Sequence, residues 1–298
     1  MASGGLRQVA LADAGTQSRG SLGSGLRGLG ASLSALWHKA SYRRRLAINA
    51  TAFLGVFATV AQIFLWITGA DSFGGVWLVA PLIAIGLAVV VWRSLPPTRL
   101  HMRHASYSAS FELVSADLFD FVDGPIVVPV NRHFDFSPEW VADESLIAQL
   151  IKERHAGDPA AVRQAISDAG VGAAEAPVGT AVRVSSPNGE SILLAVSQRH
   201  EQQRSTVLVN DIANAHARLW EAARATNSTT LTTPVIGSGL ARAQLGPMPL
   251  LMLLLTSYIT AAMEVPVCHL RVVFPGRLEL SSAIDLCREY GEALGFTT

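Results

Sequence analysis

The chain has 298 residues, half of them hydrophobic and 15% charged, with 23 Lys plus Arg balancing 23 Asp plus Glu. The zero net charge hides an uneven spread: seven basic residues and one acid precede position 46, while from Ser108 onward 21 acids face 13 basic residues. An acidic main domain repels a phosphate backbone, so polymeric nucleic acid is excluded as the expected partner.

Residues 1–42 are Gly, Ser, Ala and Leu with scattered Arg, the composition of a disordered basic arm. Residues 43–93 read as a two-helix transmembrane hairpin, with spans of about 46–69 and 73–92. Neither span holds a charge, and about 20 residues of helix match the roughly 30 Å hydrocarbon core of a bilayer. Only Asp71 and Ser72 separate the spans, with Gly69, Gly74 and Gly75 nearby to turn the chain. Arg43, Arg44 and Arg45 precede the first span, and Arg93, Arg99 and Arg103 follow the second. The positive-inside tendency therefore puts both termini in the cytoplasm, as expected for a multi-pass protein of a bacterial inner membrane. Ala80, Ala84 and Ala88 in the second span and Gly55 and Thr59 in the first form small-residue stripes. Such stripes suit close helix packing, within the hairpin or between protomers of a homo-oligomer.

Residues 94–108 read as a linker, because Pro96 and Pro97 stop any helix; His101 and His104 are expected there as exposed side chains. From 109 to 298 strand and helix signals alternate. Six strands are expected near 110–114, 125–130, 179–185, 191–196, 230–236 and 269–274. The Asn188-Gly189 pair joins two of them in a hairpin. Helices are expected between the strands, including the very apolar run Met248–Met263, too short for a span and read as a core helix. His216 falls on the apolar stripe of the helix before it and reads as a packed, hydrogen-bonded core histidine. Cys268 and Cys287 show no metal-ligand spacing and no disulfide framework, so buried reduced thiols are expected, and no metal. The fold class is a membrane hairpin followed by an α/β/α sandwich on a mixed sheet.

Ligands of such sandwiches sit outside the carboxyl ends of the strands, and three loops there carry the relevant chemistry. Asp117, followed by Leu118, stands beyond a strand, where it either accepts from an adenine amino group or only caps a turn. Val130 leads into Asn131 and Arg132, an amide suited to ribose hydroxyls and a cation suited to pyrophosphate. The third is Val235-Ile236-Gly237-Ser238-Gly239-Leu240. It fails the dinucleotide fingerprint, since Arg242 stands where a third glycine is needed, and the ATP-binding lysine pattern is absent. Two glycines at a strand end nonetheless permit a backbone nest for an anion.

Together, "SADLFD", "IVVPVNRHFD", "PVGT" and "TPVIGSGL" resemble, in that order, the ADP-ribose-binding elements of a macro domain. More closely, the chain from about Arg43 onward is similar to effectors of Thoeris anti-phage defence that join two transmembrane helices to a macro domain. The resemblance implies a sensor of an ADP-ribose derivative, histidine–ADP-ribose, made from NAD by a partner TIR-domain enzyme. It implies further that Asp117 and Leu118 contact adenine, Asn131 and Arg132 the distal ribose, and Gly237 to Leu240 the diphosphate. Oligomerisation, disruption of the inner membrane and abortive infection would follow ligand binding, with no cofactor beyond the ligand itself. Where catalytic macro domains carry Asn-Ala-Ala-Asn and a glycine triplet, this chain reads "NRHFDFSPEW". Recognition without turnover is therefore expected, the alternative being a membrane-tethered ADP-ribosylhydrolase.

Overall fold

The computed structural model describes residues 47–53, 55, 58–59, 62, 86 and 90, and 97–297 apart from 138–141, 173, 200–204, 240–242, 244 and 265. Two compact units divide the chain, Met1–Pro96 and Pro97–Thr298.

In the first unit, every described position from 47 onward is helical. The Thr59 hydroxyl bonds the Gly55 carbonyl one turn back, at 2.9 Å. The ring of Phe53 lies against Gly86, where an added Cβ would fall 1.7 Å from Cζ. No helix among the described residues is long and apolar enough to cross a membrane. The expected spans fall largely outside those residues, as does the 1–42 arm.

The second unit is a mixed sheet between two helical layers. Its strands are β1 (Arg99–His104), β2 (Ser110–Ser115), β3 (Ile126–Asn131), β4 (Ala181–Ser186), β5 (Gly189–Arg199), β6 (Ser205–Thr206), β7 (Thr230–Pro234), β8 (His269–Phe274) and β9 (Phe296–Thr297). The order across the sheet is β4-β5-β3-β7-β8-β2-β1-β9, with β6 on β5. Five strands, β5, β3, β7, β8 and β2, are mutually parallel, so their carboxyl ends share one rim. The helices are α1 (Leu146–Arg154), α2 (Ala160–Asp168), α3 (Val209–Arg224), α4 (Pro247–Ala262) and α5 (Arg277–Tyr290).

Alternation sends side chains to two cores. Phe111, Leu113, Val127, Leu231, Leu270 and Val272 meet α3, α4 and α5 on one face. Val128, Val130, Leu193, Ala195 and Val273 meet α1 and α2 on the other. Met248–Met263 is the expected core helix: Leu250, Leu251, Leu254, Leu255 and Tyr258 are all buried. The Asn188-Gly189 hairpin forms as read, with Gly189 at φ +119°.

Three expectations change. The segment 99–104, read as linker, is β1, fully laddered to β2 with Leu100, Met102 and His104 turned inward. The prolines stop before it, and the charged–apolar alternation of RLHMRH is a strand period. Cys268 is exposed rather than buried; Cys287 is buried, and desolvation pushes its thiol up to about 12. His216 is packed as expected but neither ring nitrogen has a hydrogen-bond partner.

Burial lowers the His216 pKa to about 4, against 6.5 in an unfolded chain. Between those values the unfolded chain binds more protons, so stability is fully present above pH 6.5 and falls as pH drops toward 4, by about 3 kcal/mol. Chemical denaturation in steps across this range is expected to show the loss, and His216→Leu to remove most of the slope.

Candidate functional site

Sheet topology singles out one place on the rim. The ladder between β3 and β7 consists of one pair, Ile126 with Thr232, at the amino end of β3. Beyond it the strands feed opposite layers: β3 leads to α1 on one face, β7 to α4 on the other. Adjacent parallel strands whose connections part in this way form a topological switch point, where α/β sheets hold ligands.

The β7 loop stands on one side. Ser238 donates its amide and hydroxyl to the Val235 carbonyl at 3.2 and 2.6 Å, closing a tight turn. Gly237, third in that turn, has φ +86°, the left-handed value a type II turn requires there. An added Cβ would also meet Ile212 Cδ1 at 2.8 Å. Downstream, the Ala243 amide bonds the Gly237 carbonyl at 3.0 Å, and Ala243 bridges to Val207 beside the start of α3. The loop is thus tied at both ends. Gly239 differs: its φ is not positive and, among the described residues, nothing lies within 4 Å of an added Cβ. The fold gives no backbone reason for glycine at 239. Leu240 lies outside the described residues.

The β3 loop faces it, and Asn131 is its organiser. The Asn131 oxygen accepts from the His133 and Asp135 amides at 3.0 and 3.1 Å, and its amide donates to the Asp135 carbonyl at 2.8 Å. Both ends of the side chain therefore serve the loop itself. Arg132 is likewise engaged: Nε donates to the Ala176 carbonyl at 2.7 Å, and Nη1 pairs with Glu175 at 3.0 Å. In return the Ala176 amide bonds the Arg132 carbonyl at 2.8 Å. Asn131 thus orders the β3 loop internally, and Arg132 holds it against the 174–180 segment.

Past the outer side of β8, Asp117 follows β2. Its side chain accepts from the Phe119 amide at 3.0 Å and caps the short 3₁₀ turn Leu118–Asp120. The residue is exposed, and this cap uses one of its two carboxylate oxygens. Leu118, Val130, Val235 and Ile236 turn their side chains into the core and offer the rim only backbone. Sequence reasoning passed over one rim segment, Pro275-Gly276 between β8 and α5. Its signal was a Pro-Gly pair straight after a buried strand. Among the described residues no cluster of His, Cys, Asp or Glu is arranged for a metal.

A family model for the macro domain of the Thoeris protein ThsA matches residues 111–274, more than half of the chain. The chain belongs to this family. The match begins inside β2 and ends with β8, so the ThsA macro domain here includes all three rim loops. The Oceanobacillus iheyensis macrodomain with ADP is similar in fold, with TM-score 0.51 at 16% identity, covering 66% of this chain and 100% of that one. The same macrodomain with MES bound gives 0.51 at 16%, covering 65% and 99%. A mutant of it with ADPR gives 0.50 at 18%, covering 65% and 100%. These likenesses establish the macrodomain fold. No curated protein matches the chain.

The two glycines of the β7 loop give opposite expectations. Gly237→Val forces a branched side chain into a left-handed turn and against Ile212, and costs about 2 kcal/mol or more. Gly239→Val meets open space and stays within about 0.5 kcal/mol of wild type. Urea unfolding of the two variants measures both.

Proposed function

We propose that this ThsA macro-domain protein is a non-enzymatic membrane effector that senses an ADP-ribose-derived nucleotide at the rim crevice. Gly239 is the observation that carries the reading: a glycine without a structural need, in a loop tied at both ends, beside a switch-point crevice. Among the described residues the amides of Gly237 and Gly239 have no acceptor, as an anion nest requires. The diphosphate sits on this loop. Adenine extends toward the exposed oxygen of Asp117, and the distal ribose toward the loop that Asn131 orders. The Oceanobacillus iheyensis macrodomain, solved with ADP, supplies a fold precedent for a nucleotide diphosphate.

Recognition without turnover is supported by Asn131, whose oxygen and one amide hydrogen are engaged in ordering its own loop. The finer parts of the reading rest on the resemblance carried by "VPVNRHFD" and "PVIGSGL". They are a histidine–ADP-ribose signal, a partner TIR enzyme that makes it from NAD, and a homo-oligomer whose hairpins disrupt the inner membrane in abortive infection. Binding drives such a change only if the ligand prefers the assembled state, since a ligand with equal affinity for both shifts nothing.

Calorimetric titration of residues 97–298 with ADP-ribose and histidine–ADP-ribose tests the site. Heat is expected with at least one of them and is lost in Gly239→Val while the melting temperature is kept. No heat with either removes the sensor reading. Release of ADP-ribose from a modified substrate, abolished by Asn131→Ala, would instead establish a hydrolase. For the membrane half, full-length protein in dye-loaded vesicles is expected to leak only after the nucleotide is added.

A further inference from the structure

The connection 116–125 leaves the rim at Asp117 and crosses the sheet face to reach the start of β3. At its far end stands Arg271, a nearly buried guanidinium in the middle of β8. Its two terminal nitrogens meet the two Asp123 oxygens at 2.8 and 2.9 Å, a bidentate fork. Its Nε bonds Glu112 at 3.3 Å, and Nη1 also reaches the Thr232 hydroxyl at 3.3 Å. The same group lies 4.2 Å from the centre of the Phe121 ring. Glu112 is itself fixed by Arg99 and by His269, whose Nε2 is 3.3 Å away. From the α1 side, Arg154 donates to the Phe121 carbonyl at 2.6 Å.

Arg271 therefore grips the connection twice, at an aromatic ring and at a carboxylate, and anchors both to two strands of the sheet. Asp117 is six residues from Asp123 and exposed, so it takes its position from the backbone around it. Between the two, Leu118 and the Phe121 carbonyl are the other anchors. We propose that Arg271 is a positioning residue for adenine recognition: its clamp on Phe121 and Asp123 sets where the Asp117 carboxylate meets the base. The inference rests on the nucleotide reading of the rim. A lysine cannot replace the clamp, because a point charge has neither the planar fork nor the face that stacks on Phe121.

The test compares full-length protein in detergent binding ADP-ribose and inosine diphosphate ribose, which carries an oxygen in place of the adenine amino group. Wild type is expected to prefer ADP-ribose by roughly tenfold, the worth of one good hydrogen bond to a charged acceptor. Arg271→Lys and Asp123→Asn are each expected to shrink that preference to about twofold, and the double variant to go no further, as partners in one interaction do. A purely structural role would weaken both ligands by the same factor and leave the ratio intact. An unchanged ratio in either folded variant overturns the proposal. Asp123 is 53% exposed, so Asp123→Asn keeps the test alive if Arg271→Lys fails to fold. Wild type binding both nucleotides equally removes the amino contact and this inference with it. Wild type binding neither overturns the nucleotide reading itself.

Discussion

Everything at the rim depends on five strands lying parallel. In that arrangement the peptide chain must return to the opposite edge after each strand, so every carboxyl end empties on the same side. The return paths then divide between two faces, and where they divide the sheet cannot be covered. Here the division falls between β3 and β7, whose ladder holds a single pair. The Gly237 turn and the Asn131 loop are consequences of this parting. Each is a strand end that lacks a neighbour on one side and satisfies its backbone through its own residues. Ser238 serves the first and Asn131 the second.

The face that receives the 116–125 connection differs in character from the rest of the interior. Glu112, Thr232 and Arg271 occupy sheet positions that elsewhere hold Val, Ile or Leu. Burial alone would raise the Glu112 pKa, but hydrogen bonds from His269, Arg99 and Arg271 hold it at about 2. A buried network of this kind is weak evidence for stability, because desolvation offsets most of the attraction. What it supplies is direction. A hydrophobic contact would let the connection slide, whereas a two-pronged ion pair fixes its register. Ser110 and His269 continue the chain at 2.9 Å, yet Glu112 is already neutralised by two guanidinium groups. The trio ties the side chains of β2 and β8 to one another across the ladder.

Much of the sheet was readable from sequence because buried parallel strands are written as β-branched runs, and VVPV, ILLAV and RVVF announce themselves. The hairpin was readable because Asn-Gly has few other uses. Two things resisted. β1 was hidden by the prolines before it and by histidines that suggested solvent; only its alternation, three inward residues between three outward ones, gave it away. The site residues were chosen by chemistry, and chemistry does not say who a polar group's partner is. Asn131 and Arg132 were chosen for a ligand, and sequence did not show that each also has partners within the chain, Asp135 for the amide and Glu175 and Ala176 for the guanidinium. Gly237 and Gly239 looked alike, and only the backbone angle and the room for a Cβ separate the one the turn needs from the one it does not.

The sheet also has an order of assembly written into it. β1 and β2 are the first strands made, yet their remaining partners are β9 and β8, and the Thr297 hydroxyl bonds the Arg103 carbonyl across 194 positions. On a ribosome, β2 waits with one side unpaired until β8 is made, and β1 until β9 is made. Pairings so distant in sequence form slowly. The nascent unit therefore carries an exposed strand edge until β9 emerges, the state in which chains aggregate or recruit chaperones.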